Sequence, residues 1–95
     1  MLKRLTAYDR LNTLADAVER FPRFDMTSAA HCYYGVACRL FGESLEHEPS
    51  DHIPHLASML GVSQGHAAHL YHSYEFGNDR HRAADRLREV ASIYS

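Results

Sequence analysis

The stretch FDMTSAAHCYYGVACRLFG, Phe24 to Gly42, decides the fold. Between Ser28 and Phe41 only His31 and Arg39 are strongly polar, and no proline interrupts. On a helical wheel Ala29, Tyr33, Val36 and Leu40 share one face, while Tyr34, Cys38 and Phe41 make much of the opposite one. A helix that is apolar nearly all round is buried rather than laid on a surface. Its reach is only about 21 Å, short of the ~20 apolar residues of a membrane span. The expectation is an all-α fold, a compact five-helix bundle around this central helix (about 28–41), with no membrane partner.

Outward from it, Met1 to Phe21 reads as helix up to Pro22, with Leu11, Leu14, Ala15, Val18 and Phe21 on one face. Leu2, Leu5 and Tyr8 fall on another face, so the helix either begins near Asp9 or Asn12, leaving residues 1–8 as an arm, or meets a further surface there. A second copy of the chain is one candidate for that surface. Thr27 or Asp25 is expected to cap the central helix, and Gly42 to end it. Asp51 is expected to cap a third helix with Pro54 in its first turn and Ile53, Leu56, Ala57 and Leu60 inward. Gly61 closes it. Ser63 caps a fourth, with Ala67, Leu70, Tyr71 and Tyr74 inward, ended by Gly77. Asn78 or Asp79 starts a fifth, burying Ala83, Leu87, Val90, Ala91 and Tyr94. The 95 residues suit one domain, 1–95.

Charge is unevenly placed. Residues 1–42 hold six Lys or Arg against four acids. Residues 43–75 hold five acids (Glu43, Glu46, Glu48, Asp51, Glu75), six histidines and no Lys or Arg at all. Residues 76–95 carry Arg80, Arg82, Arg86 and Arg88 against Asp79, Asp85 and Glu89. Met1 to Phe21 carries charges throughout, unlike a signal or transit peptide, so a cytoplasmic location is the default expectation. Cys32 and Cys38 would point about 120° apart on a helix, so they read as buried thiols.

Eight histidines invite a metal reading. His52 and His55 are i, i+3, and His66, His69 and His72 repeat that spacing, which can share a metal between facing helices. His69 points away from the apolar face of its helix, however, whereas closed sites need ligands converging from several elements. His66, His69 and His72 are therefore weak metal candidates, and no cofactor is expected. Catalysis finds no constellation. Cys38 and His31 would be separated by a rise of ~10 Å, and Ser44, Ser50 and Ser63 lie in polar links without a nucleophile motif. The expected class is non-catalytic.

Residues His52 to Tyr71, HIPHLASMLGVSQGHAAHLY, resemble a helix-turn-helix. Leu56-Ala57, Leu60-Gly61-Val62, Ala67 and Leu70 match that family's small residue, turn glycine and flanking apolar positions. The resemblance implies that Ser63, Gln64, His66 and His69 face the major groove, with Gln64 able to pair with adenine, and with Arg80, Arg82, Arg86 and Arg88 able to assist only if the last helix folds beside it. The charge distribution argues against it, because DNA affinity comes largely from Lys and Arg on phosphates. A second resemblance spans roughly residues 12 to 91. Phe24-Asp25-Met26, Gly35, Ala37, Cys38, Leu60-Gly61 and Leu70 are similar to the pattern F-D-M, C-G-x-A-C, L-G, L-F of a small, largely uncharacterised all-helical family of bacteria and phages. That family's first cysteine falls at Tyr34 and its tryptophan is absent, so no role for a cysteine pair carries over.

The primary expectation is a small binding protein whose partner is another protein: an accessory or inhibitor protein of phage or mobile-element type. Its expected contact residues are Leu2, Leu5 and Tyr8, the acidic link with Glu43, Glu46 and Glu48, and Met59, placed off its helix's inner face. A homodimer through the arm and a helix-turn-helix DNA regulator are the alternatives.

Overall fold

The computed structural model describes residues 5–28 and 30–95, so the expected contact residue Leu2 and the wheel position of Ala29 lie outside the described residues. Five α-helices follow in order: α1 (Ala7–Glu19), α2 (Tyr33–Phe41), α3 (Pro49–Leu60), α4 (Gln64–Tyr71) and α5 (Arg80–Ile93), with a 3-10 turn at Tyr74–Phe76 before α5. The all-α bundle is as expected; several boundaries are not.

α1 begins at Ala7, ahead of the starts near Asp9 or Asn12 and after the Met1 of the longer alternative, because Thr6 and Asp9 form a capping box. The Thr6 hydroxyl accepts from the Asp9 N–H at 3.1 Å, and the Asp9 carboxylate accepts from the Thr6 N–H at 3.3 Å. Leu11, Leu14, Ala15 and Val18 are buried on one stripe. That stripe packs on α5, which buries Ala83, Ala84, Leu87, Val90 and Ala91. Arg80 donates to the Glu19 carbonyl at 2.9 Å and Arg88 to the Asp16 carboxylate at 3.0 Å, which makes the pair antiparallel.

The central helix is shorter than expected. It spans nine residues, Tyr33–Phe41, capped by Cys32 rather than by Thr27 or Asp25. The Asp25 carboxylate instead accepts from the Thr27 N–H and hydroxyl at 2.9 and 2.7 Å, closing a turn. That local bond competes with helix for the backbone, as short polar side chains do. The hub role holds: Tyr33 through Cys38 are all buried. The Tyr33 hydroxyl donates to the Ala83 carbonyl of α5 at 2.6 Å, while Tyr34 faces α3 and α4.

α3 starts at Pro49 behind Glu48, so Asp51 lies within the first turn rather than at the cap, and Pro54 sits inside the helix. Proline at the first helical position costs no hydrogen bond, which favours the earlier start. Met59, expected as a contact residue, is buried at 6% exposure; its carbonyl takes the Arg10 guanidinium at 2.7 Å. Gly61 ends α3 at φ +70°, a left-handed conformation that a Cβ would strain. Ser63 caps α4 and Asp79 caps α5, both as expected. Tyr74 is not on the inner face of α4: the chain leaves the helix at His72, and Tyr74 stands 52% exposed.

Candidate functional site

The link from α2 to α3, taken with the first turn of α3, is the most open part of the described chain, with every residue from Gly42 to Asp51 exposed. It carries Glu43, Glu46, Glu48 and Asp51, and Leu45 stands 38% exposed among them. The Ser44 hydroxyl accepts from the Glu46 N–H at 3.0 Å and tightens the first bend.

Two histidines of α3 hold this link to the bundle. His55 Nε2 lies 3.0 Å from the Glu43 carboxylate and its Nδ1 lies 2.8 Å from the Tyr34 hydroxyl. A carboxylate only accepts, so Nε2 carries the proton towards Glu43 and Nδ1 of the neutral ring accepts from Tyr34. His52 repeats the scheme: Nε2 donates to the His47 carbonyl at 3.1 Å, and Nδ1 accepts from the Tyr71 hydroxyl at 2.8 Å. Burial pushes both phenols above the ordinary tyrosine range, which keeps them as O–H donors. Tyr34 also stacks on His52 with ring centroids 4.2 Å apart, and its hydroxyl meets the Cys38 thiol. His47 packs its ring 4.2 Å from that of His55. All four imidazole nitrogens of His52 and His55 are thus engaged within the protein. The network's chemistry is positional: it fixes both ends of an acidic link.

What distinguishes the link is a cluster of acids without arginine partners among the described residues; outside it Glu75 is likewise exposed and makes no ion pair among them. Elsewhere Asp16, Glu19 and Asp85 pair with Arg88, Glu89 pairs with Arg86, and Asp9, Asp25 and Asp79 serve caps or turns. Among the described residues Glu43 meets only His55, and Glu46, Glu48 and Asp51 make no ion pair.

The structure scatters the other candidates. His66 is half-buried with Nδ1 against the Tyr94 hydroxyl, His69 lies 3.1 Å from an Arg86 nitrogen, and His72 packs edge-on to Tyr71. Among the described residues no three His, Cys, Asp or Glu side chains converge to hold a metal. His31 bonds Ser28 at 3.0 Å rather than facing Cys38, and burial pushes both cysteine thiols up. Of the helix-turn-helix set, Ser63 is occupied as the cap and Gln64 is exposed. Arg80 is turned to α1, and Arg82 lies over the Phe76 ring at 5.7 Å. Arg86 meets α4 at His69, while Arg88 is turned to Asp16 and Glu19 of α1.

Leu5 is half-buried and Tyr8 is 42% exposed. The antiparallel α1–α5 pair puts Ile93, 63% exposed, at the same end. The His–Tyr network escaped the sequence reading except for the i, i+3 spacing of His52 and His55. Their side-chain partners Glu43, Tyr71 and Tyr34 are 12 to 21 residues distant, beyond what periodicity relates. Comparison with family models, with curated proteins and with solved structures finds no match for the chain.

Proposed function

We propose that this chain is a non-catalytic binding protein that presents the Glu43–Asp51 link to a basic surface of another protein. The observation that carries the reading is the contrast in charge pairing. Asp16 and Glu19 on α1 and Asp85 and Glu89 on α5 pair with Arg88 or Arg86, while among the described residues Glu46, Glu48 and Asp51 stand exposed without ion-pair partners. An unpaired acidic surface held in place by its own hydrogen bonds steers a cationic partner and spends little ordering entropy on binding. Such a protein can occupy the nucleic-acid-binding face of its partner by charge alone, which suits the accessory or inhibitor role expected above.

The test is fluorescence anisotropy of a labelled Lys/Arg-rich peptide, titrated at low and at physiological salt. Exposed ion pairs contribute about 0.5 kcal/mol each, so losing three weakens binding about tenfold. The variant Glu46→Gln/Glu48→Gln/Asp51→Asn should show that loss. Equal affinity of wild type and variant, or no binding at low salt, defeats the proposal.

A second reading keeps one specific observation. α3 and α4 are joined through Gly61, Val62 and Ser63, with Arg86 beside the exposed His69 of α4, as a helix-turn-helix regulator would need. Glu48 and Asp51 at the start of α3 oppose phosphate. Absence of mixed-duplex DNA binding at low salt removes this reading.

A further inference from the structure

Next to the acidic link lies a pocket of about 150 Å³ lined by Met26, Thr27, Cys32, Tyr71 and Tyr74. Among the described residues no charged group lines it. Its walls are a thioether, two phenol rings, a threonine and the thiol of Cys32, the residue that precedes α2 and is 5% exposed. They are held before anything binds. The Met26 N–H donates to the Gly77 carbonyl at 2.8 Å, Thr27 is fixed by the Asp25 carboxylate, and the Tyr71 hydroxyl is fixed by His52. Tyr74 stands 52% exposed at its edge.

We propose that this pocket receives one aliphatic side chain, of leucine or methionine size, from the same basic partner that meets the acidic link; the inference rests on that reading. Continuity places the two together. The His52 ring bonds Tyr71, which lines the pocket, through one nitrogen, and the His47 carbonyl in the link through the other. A single imidazole and two hydrogen bonds therefore separate pocket and link, a span of about three extended residues. Charge selects the same partner, because Glu75, next to Tyr74 in the chain, is exposed and makes no ion pair among the described residues. A pocket with uncharged walls, joined through His52 to an acidic link, fits a short segment with Lys or Arg on one side of an aliphatic anchor. Anchors of this kind, seated in preformed pockets, dominate interface energetics.

The experiment compares two labelled peptides by anisotropy: Lys-Arg-Lys-Arg-Gly-Ser-Leu, and the same peptide with serine in place of leucine. The leucine peptide should bind wild type about tenfold more tightly, as expected for partial burial of one leucine. Thr27→Trp fills the pocket from an exposed position. It should abolish the difference while leaving the serine peptide's affinity unchanged, with circular dichroism confirming the fold; Tyr74→Ala, at a second exposed position, should shrink the difference. If both peptides bind wild type equally and both weaken on Glu46→Gln/Glu48→Gln/Asp51→Asn, the pocket proposal is overturned and the acidic-link reading stands. If neither peptide binds, or neither responds to that variant, the acidic-link reading falls and the pocket proposal with it.

Discussion

Tyr34→Phe tests the network that holds the acidic link. The ring is 1% exposed and would keep its stack on His52, so the substitution opens no cavity of consequence. It removes the hydroxyl that lies 2.8 Å from His55 Nδ1. A net hydrogen bond contributes about 1 kcal/mol, and leaving an acceptor in a mostly buried side chain without its donor costs about 1 kcal/mol more. The His55 side chain is 14% exposed, which limits replacement by water and keeps the second contribution near that value. The expected loss is about 2 kcal/mol by urea denaturation, or roughly 10 °C in Tm for a domain of this size. The slope of the denaturation curve should not change, since the native packing is retained. Proteolysis at the link should accelerate in parallel, because His55 then holds Glu43 less firmly. A loss below about 0.5 kcal/mol would refute the hydrogen bond; one above about 4 kcal/mol would mean that the ring itself repacks.

Three further outcomes follow from the same geometry. Gly61→Ala should cost about 1–2 kcal/mol by urea denaturation, from φ +70° alone, since a Cβ there meets only Ala7 Cβ at an ordinary 3.8 Å. Hydrogen bonds from Arg88 and then His81 hold the Glu19 carboxyl below its ordinary value, so its contribution is complete above the unfolded value of 4.5 and lost as pH falls through the lower folded one. Arg88→Ala should therefore raise the acid-unfolding midpoint, read by circular dichroism, and an unchanged midpoint would contradict the pairing. If the Leu5/Tyr8/Ile93 end joins two copies, sedimentation should show a dimer that Leu5→Asp or Ile93→Asp dissociates; a monomer at high concentration rules the dimer out.

How much was legible can be traced through single residues. Leu11, Leu14, Ala15 and Val18 were readable as a buried stripe because their spacing is helical, and all are buried. Ser63 and Asp79 were readable as caps because a short polar side chain before an apolar-periodic run satisfies orphan N–H groups locally. Met59 was misplaced because a wheel records direction and not which neighbour arrives; α3 is covered on more than one side, so a residue off the inner stripe is buried too. Residues 28–32 were read as helix from their apolar character, but the Asp25–Thr27 turn closes there and α2 starts only at Tyr33.

Helix number, the buried hub and the acid-rich link were therefore in the sequence by itself, since each depends on spacing or on charge within a dozen residues. The support of that link was decided by tertiary structure alone. Glu43, His55 and Tyr34, like His47, His52 and Tyr71, come from three different segments, and only the packing of α2, α3 and α4 brings their hydrogen-bonding atoms within 3.1 Å. Charge pairing was decided there too: formal charge is carried by each residue, but whether an acid is neutralised depends on which arginine the fold sets beside it.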